Sequence, residues 1–224
     1  MQFEADLMRL KDSLLLMGGT IESMLHETSE ALRTGNAEGA ERVIRRDREV
    51  DTLEKKVDEQ AINILAIRQP AAIDLRFVTS AFKICTDLER MGDILVNICE
   101  RSIELSKLPQ LKRYEILPQM MGLTRAMIAK ALDAFVNQST TLAAEVLESD
   151  REVDELTRKV YHELVGIMKT DPEAVERGMK LFFIAKHLER LADHATNIAE
   201  QVVFTVKGLD IRHSHAPGPT PELY

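Results

Sequence analysis

The stretch DREVD at residues 47–51 recurs without change at residues 150–154. A second stretch, LERMGD at residues 88–93, recurs in closely similar form as LERLAD at residues 188–193. The two stretches follow one another in the same order in both halves of the chain. A repeat this regular predicts one structural unit that is used twice.

Both copies of the unit are predicted to be helical, because apolar residues recur at alternating spacings of three and four. Gly18 and Gly19 interrupt the first such segment and indicate either a kink or a close contact with another helix. No stretch alternates with a period of two for long enough to predict a sheet. The first two predicted seams comprise Leu7, Leu10, Leu14, Met17, Ile21, Met24, Thr28 and Ala31, followed by Val43, Val50, Leu53, Val57, Ala61, Ile64 and Ile67.

Helix boundaries are marked by residues that favour caps and turns. Gly35-Asn36 ends the first predicted helix, and Pro70 separates the second from a third that runs from about Asp74 to Lys107. The second half repeats this plan, with Asp171 as an N-cap before Pro172. The remaining helices are predicted at residues 114–135, 141–168 and 172–207.

Long helices joined by short loops pack as antiparallel neighbours. The predicted fold is therefore all-α, with two tandem antiparallel three-helix bundles. The expected units are residues 1–109 and 110–207, and residues 208–224 are expected to form a disordered tail, which carries three prolines.

Composition excludes several classes of protein. A formal net charge of −8 disfavours nucleic-acid binding and attraction to an anionic membrane. The acidic amino terminus does not resemble a signal peptide, and the apolar stretch at residues 14–19 is too short to cross a bilayer. Cys85 and Cys99 lie too far apart on one helix for a disulfide, so we expect free thiols in a cytoplasmic protein.

Acidic side chains form a row on each of two neighbouring helices in the first copy. At about 100° per residue, the row on the third helix spans an arc of about 80° and that on the second helix about 60°. Carboxylates about 4 Å apart repel by roughly 4 kcal/mol at an effective dielectric of 20, so rows that face each other require cations, protonation or separation. The rows consist of Asp47, Asp51, Glu54 and Asp58 on the second helix and Glu89, Asp93, Asn97 and Glu100 on the third.

The recurrence of these acids in both copies favours metal binding over loosely paired, solvated helix faces. Carboxylate and amide oxygens suit iron or another hard cation, namely manganese, magnesium or calcium, and disfavour a structural zinc site. His187 and His194 lie off the acidic arc, and His26 could reach a site from the first helix. The predicted ligands of the second copy are Asp150, Asp154, Glu189, Asp193, Asn197 and Glu200.

Asp74-Leu75-Arg76, the stretch at residues 87–93 and Asn97-Ile98 resemble the signature of the PhoU family, and the resemblance extends over residues 3–207. It implies a cytoplasmic repressor of phosphate-starvation signalling. The sequence has neither the phosphate loop Gly-x-x-x-x-Gly-Lys-Ser/Thr nor the Gly-x-Ser-x-Gly elbow, so we expect no catalysis. Such a regulator would act between the ATPase subunit of a phosphate ABC transporter and a sensor histidine kinase, often as a homodimer. The family's paired acidic motifs, which can carry multinuclear metal clusters, correspond to Asp47/Asp51, Glu54/Asp58, Glu89/Asp93, Asp150/Asp154 and Glu189/Asp193.

The second copy departs from this pattern, because Thr157 and Tyr161 stand where the first copy has Glu54 and Asp58. The second site is therefore expected to hold fewer or weaker ions. Two other functions stay open at this point. A di-iron oxidoreductase is disfavoured because such bundles use Glu-x-x-His, which this chain lacks, and a metal-free scaffold is the other alternative.

Overall fold

The computed structural model describes residues 2–111 and 116–211. Within these residues the chain forms six α-helices and no strand, which confirms the predicted all-α fold. A short 3₁₀ turn, Pro172–Ala174, precedes the last helix. The helices are α1 Gln2–Thr34, α2 Ala37–Arg68, α3 Ala72–Ser106, α4 Ile116–Val136, α5 Thr140–Thr170 and α6 Val175–Lys207.

The predicted turns form at the residues that favour them. Gly35 takes a positive φ of 65°, and the side chain of Asn36 accepts a hydrogen bond from the backbone N–H of Gly39 at the start of α2. Asp171 likewise accepts from the N–H of Glu173, so its predicted capping role is confirmed. The predicted start of the fourth helix at Tyr114 lies outside the described residues.

Each copy packs as three neighbouring helices: α1 with α2 and α3, and α4 with α5 and α6. The two bundles meet through α3 against α6 and α1 against α4. Aromatic stacking contributes to this junction, because Phe77 of α3 and Phe135 of α4 stack with their centroids 4.7 Å apart. One continuous apolar core therefore runs through both bundles.

The α1 seam is buried from Leu10 to Ala31, as the spacing predicts. Ile67 on α2 is 68% exposed, so its predicted place in the core is wrong. It lies one residue before the end of α2, and its side chain remains open to solvent there. The two glycines do not break α1. A Cβ on Gly18 would lie 2.0 Å from Cδ1 of Leu132, so Gly18 permits a close contact between α1 and α4.

Both cysteines are buried and unpaired, as predicted. No helix in the described part of the chain is both long enough and apolar enough to cross a membrane. Residues 208–211 follow α6 without helix, and Gly208 ends that helix with a φ of 68°. The rest of the tail predicted to be disordered, including His213 and His215, lies outside the described residues.

Candidate metal centres on paired acidic helix faces

The acidic rows of α2 and α3 face each other across a close helix contact. Asp47 of α2 lies directly against Gly92 of α3, where Oδ1 of Asp47 is 2.6 Å from the position that a Cβ would occupy. Val50, one turn further along α2, packs on the same glycine and is fully buried. The missing side chain at residue 92 thus lets the two rows approach each other.

Six carboxylates from these two helices share one electrostatic environment. Burial, followed by the charges of Asp51 and Asp93, raises the pKa of Asp47 to about 6. The pKa of Glu89 is also raised, by burial first and then by carboxylates on both helices. We call this group the first acidic cluster, and its members are Asp47, Asp51, Glu54, Asp58, Glu89 and Asp93.

Little positive charge compensates the first acidic cluster. Arg90 lies 3.7 Å from Glu89 and 3.9 Å from Asp93, but its own side chain is 61% exposed. An exposed ion pair of this kind contributes little free energy. Burial, followed by the charges of Asp58 and Asp51, raises the pKa of Glu54, against a smaller lowering by Lys55 and Arg90.

The second copy forms a smaller group at the equivalent place, which we call the second acidic cluster: Asp150, Asp154, Glu189 and Asp193. Burial, followed by the charges of the other three members, raises the pKa of Asp150 to about 6. Asp150 and Asp47 occupy equivalent positions of the repeat. The carboxylate whose pKa is raised to about 6 therefore lies at the same place in both copies.

Basic side chains neutralise the second cluster more closely than the first. Nζ of Lys186 lies 2.5 Å from Glu189. Burial, followed by the charge of Glu189, raises the pKa of Asp154, and the charges of Arg158 and Lys186 partly offset this rise. Two basic residues act on each cluster, but the second cluster has fewer acids and the closer ion pair.

Thr157 and Tyr161 shorten the acidic row of the second copy. Thr157 is buried and donates its hydroxyl to the backbone carbonyl of Val153. Tyr161 turns its ring toward Phe182 of α6, with centroids 5.7 Å apart. Neither side chain adds a carboxylate where the first copy has one.

The other predicted ligands lie further along the helices. Asn97 donates its amide to the backbone carbonyl of Asp93, and Asn197 donates to Oδ1 of Asp87, 3.1 Å away on α3. Glu100 and Glu200 are seven residues beyond the last aspartate of each cluster, which is about 10 Å along a helix. The role of these four residues as ligands stays a prediction.

Asp87 belongs to the signature stretch but was not predicted as a site residue, yet it joins the two bundles. Its Oδ1 accepts hydrogen bonds from Nδ1 of His194, at 2.8 Å, and from the amide of Asn197. Because a carboxylate only accepts, Nδ1 of His194 must carry the hydrogen. In the second copy the position equivalent to Asp87 is His187, whose Nδ1 is buried without a partner among the described residues. The repeat alone therefore could not reveal this contact.

Within residues 2–111 and 116–211, no three Asp, Glu, His or Cys side chains already stand close enough to form a metal-binding group. The clusters are facing rows of carboxylates rather than closed coordination shells. Their chemistry nevertheless fits a hard cation, because partly buried oxygen ligands that repel one another are drawn together by positive charge.

The two copies of the unit match a known family model, described as the PhoU domain, at residues 14–102 and 117–202. The chain belongs to the PhoU family. The "Phosphate-specific transport system accessory protein PhoU homolog" of Pseudomonas putida is 35% identical to it, and the match covers 99% of this chain and 87% of that protein.

Solved structures of PhoU proteins share the fold of this family member. The crystal structure of PhoU from Pseudomonas aeruginosa superposes with a TM-score of 0.88 at 35% identity, and the match covers 92% of this chain and 100% of that one. The phosphate transport system regulatory protein PhoU from Streptococcus pneumoniae gives a TM-score of 0.86 at 31% identity, covering 93% and 98% of the two chains.

Proposed function

We propose that this protein is a cytoplasmic regulator of phosphate uptake that represses phosphate-starvation signalling. The observation that carries the proposal is the match, over nearly the whole chain, to PhoU proteins named as accessory proteins of a phosphate-specific transport system. The regulator would bind the ATPase subunit of a phosphate ABC transporter and a sensor histidine kinase. It would act as a homodimer and catalyse no reaction.

Metal ions would bind between the paired helix faces of this regulator. The first acidic cluster would supply the main site, and the second cluster would supply a weaker one, with iron, manganese, magnesium or calcium as the ion. A bound cation would neutralise carboxylates that otherwise repel each other. The carboxylate side chains would have to turn inward to complete a coordination shell, because they do not form one beforehand.

Calorimetric titration of metal-stripped protein with Mn²⁺ and Fe²⁺ tests the ion sites. We expect tighter binding at the first cluster, so Asp51→Asn with Asp93→Asn should abolish the tighter phase. The matched change in the second copy, Asp154→Asn with Asp193→Asn, should leave that phase intact. Two sites of equal affinity would contradict the asymmetry, and no binding in either phase would contradict the metal proposal itself.

The regulatory role is tested separately in cells. A strain that lacks its own PhoU protein and carries a starvation-inducible phosphatase reporter should regain repression when it expresses this chain. Affinity purification of the transporter ATPase subunit and the kinase, with and without a chelator, then shows whether partner binding requires metal. Failure to restore repression, with the protein present and folded, would contradict the proposed function.

A further inference from the structure

A row of aromatic side chains crosses the surface of the second repeat from α5 to α6, and an arginine of α3 lies beside its last ring. The ring of Tyr161 lies 5.7 Å from that of Phe182, which lies 6.3 Å from Phe183. The guanidinium carbon of Arg101 stands 5.7 Å from the centre of the Phe183 ring. Tyr161 and Phe183 remain 40% and 45% exposed. The chain has seven phenylalanines, three tyrosines and no tryptophan, so this surface holds a large share of its aromatic side chains.

The apolar surface continues along α6 at helical spacing. Val175 and Met179 lie eight and four residues before Phe183 and are 45% and 39% exposed. Because residues four apart lie on one side of a helix, the three form an exposed stripe. His187 and Arg190 extend the same side toward the middle of α6, so the stripe passes from apolar to basic.

The fold of the repeat does not require this stripe. At the equivalent positions of the first repeat, Asp58 replaces Tyr161, Thr79 replaces Met179 and Lys83 replaces Phe183. Val175 corresponds to Leu75, which is apolar and exposed as well. The first copy thus builds the same three-helix unit with polar side chains at three of these four positions. Exposed apolar area costs free energy at roughly 25 cal/mol per Å², which a partner that covers the stripe would recover.

The charges beside the stripe indicate what kind of partner fits. Lysines near it are already paired: Lys180 with Glu104 at 2.6 Å and Lys186 with Glu189 at 2.5 Å. Arg101 and Arg190 make no ion pair within the described residues, and the charges of both act on His187. The charge of Arg101 also acts on Glu104, which Lys180 already holds. This end of the stripe therefore presents two guanidinium groups that no carboxylate of the described residues holds in an ion pair, on a chain whose net charge is −8.

We propose that this docking face (Arg101, Tyr161, Val175, Met179, Phe183 and Arg190) binds a helical segment of a partner protein. The segment carries apolar side chains along one side and carboxylates at one end. Apolar side chains at helical spacing pack along the α6 stripe, and the carboxylates pair with guanidinium groups that have the geometry for two parallel hydrogen bonds. The inference rests on the proposed partner-binding role of the protein but does not require metal.

Fluorescence anisotropy with designed peptides tests the docking face without the transporter or the kinase. The probe is a labelled helical peptide with leucine at every fourth position and glutamates near one end. One control peptide replaces glutamate with lysine, and another replaces leucine with serine. We expect the first peptide to bind and both controls to bind at least about tenfold more weakly, with affinity falling as salt rises.

The protein variants are Phe183→Ser and Arg101→Glu, with Ile67→Ser on α2 as the matched change of an exposed apolar residue elsewhere. The first two should weaken binding about tenfold or more, whereas Ile67→Ser should leave it unchanged. Circular dichroism checks that each variant keeps its helical content. Equal binding of the acidic and basic peptides, or unchanged binding by Phe183→Ser, would overturn the proposal. A dimer that Phe183→Ser converts to monomer in sedimentation analysis would overturn it as well, because the face would then join two copies of this chain.

Discussion

Replacing Asp47 with asparagine tests the electrostatic argument for the first acidic cluster. The folded chain raises the pKa of this carboxyl from 3.8 to about 6, chiefly by burial and secondly through Asp51 and Asp93. In the absence of metal, the ionised side chain therefore destabilises the folded state at neutral pH. Asparagine keeps the shape of the side chain and removes the charge, so Asp47→Asn should stabilise the metal-free protein.

The magnitude follows from the pKa difference. Each unit corresponds to 1.36 kcal/mol, so a shift of about two units sets an upper limit of about 3 kcal/mol. Solvent screening at this partly open position reduces the expected gain to about 1–2 kcal/mol. Between about pH 4 and pH 6, the Asp47 carboxyl is protonated in the folded state but ionised in the unfolded state. The wild-type protein should therefore lose this stability as the pH rises from about 4 to about 6, and the gain from Asp47→Asn should vanish near pH 4.

Urea unfolding followed by circular dichroism, with a chelator present, measures the effect at pH 4, 5, 6 and 7. Asp12→Asn changes an exposed aspartate on α1 and should alter the free energy of unfolding by less than about 0.5 kcal/mol at every pH. With saturating Mn²⁺ the sign should reverse, because asparagine is the poorer ligand. A metal-free Asp47→Asn protein that is less stable than wild type at pH 7, or a gain that does not depend on pH, would refute the reasoning.

Three further predictions concern the junction and the thiols. Gly18→Val should lower the free energy of unfolding by about 1–3 kcal/mol, because its side chain would collide with Leu132, whereas Gly19→Ala, with open space around it, should be neutral or slightly stabilising in thermal unfolding. Asp87→Ala should lower the free energy of unfolding by about 1–3 kcal/mol, because it leaves the donors of His194 and Asn197 without their acceptor. The control Glu49→Ala, on the exposed side of α2, should lower it much less in the same assay. Burial raises the pKa of Cys85 to about 12 and that of Cys99 to about 11, so both thiols should react with Ellman's reagent far more slowly in the native protein at pH 8 than in urea, and rapid native labelling would contradict their burial.

Much of the fold could be predicted because helix periodicity and capping residues act locally. The α1 seam, the turn at Gly35 and the cap at Asp171 all follow from side chains within a few residues of one another. The exposure of Ile67 could not be predicted in this way. Apolar spacing shows which face of the helix a residue occupies but not how far along the helix that face is covered.

The sequence predicted the two acidic rows but not the contacts that α3 and α6 make beside them. The sequence repeat aligns Asp47 with Asp150, and the structure gives both the same rise in pKa. Helical geometry placed Asn97 and Asn197 on the same arc as the acids. The amide of Asn97 donates to the backbone carbonyl of Asp93, whereas that of Asn197 donates to Asp87 on α3. The contact of Asn197 with Asp87 depends on how α3 packs on α6, and no local pattern encodes the register of two helices distant in sequence.

Because one core runs through both bundles, neither repeat is expected to fold stably without the other. A fragment that encodes only one repeat would leave the facing sides of α1 and α3, or of α4 and α6, open to water. Phe77 and Phe135 would each lose the ring on which they stack. A fragment of half the length should accordingly associate with another copy or be degraded. The two repeats therefore act as one folding unit.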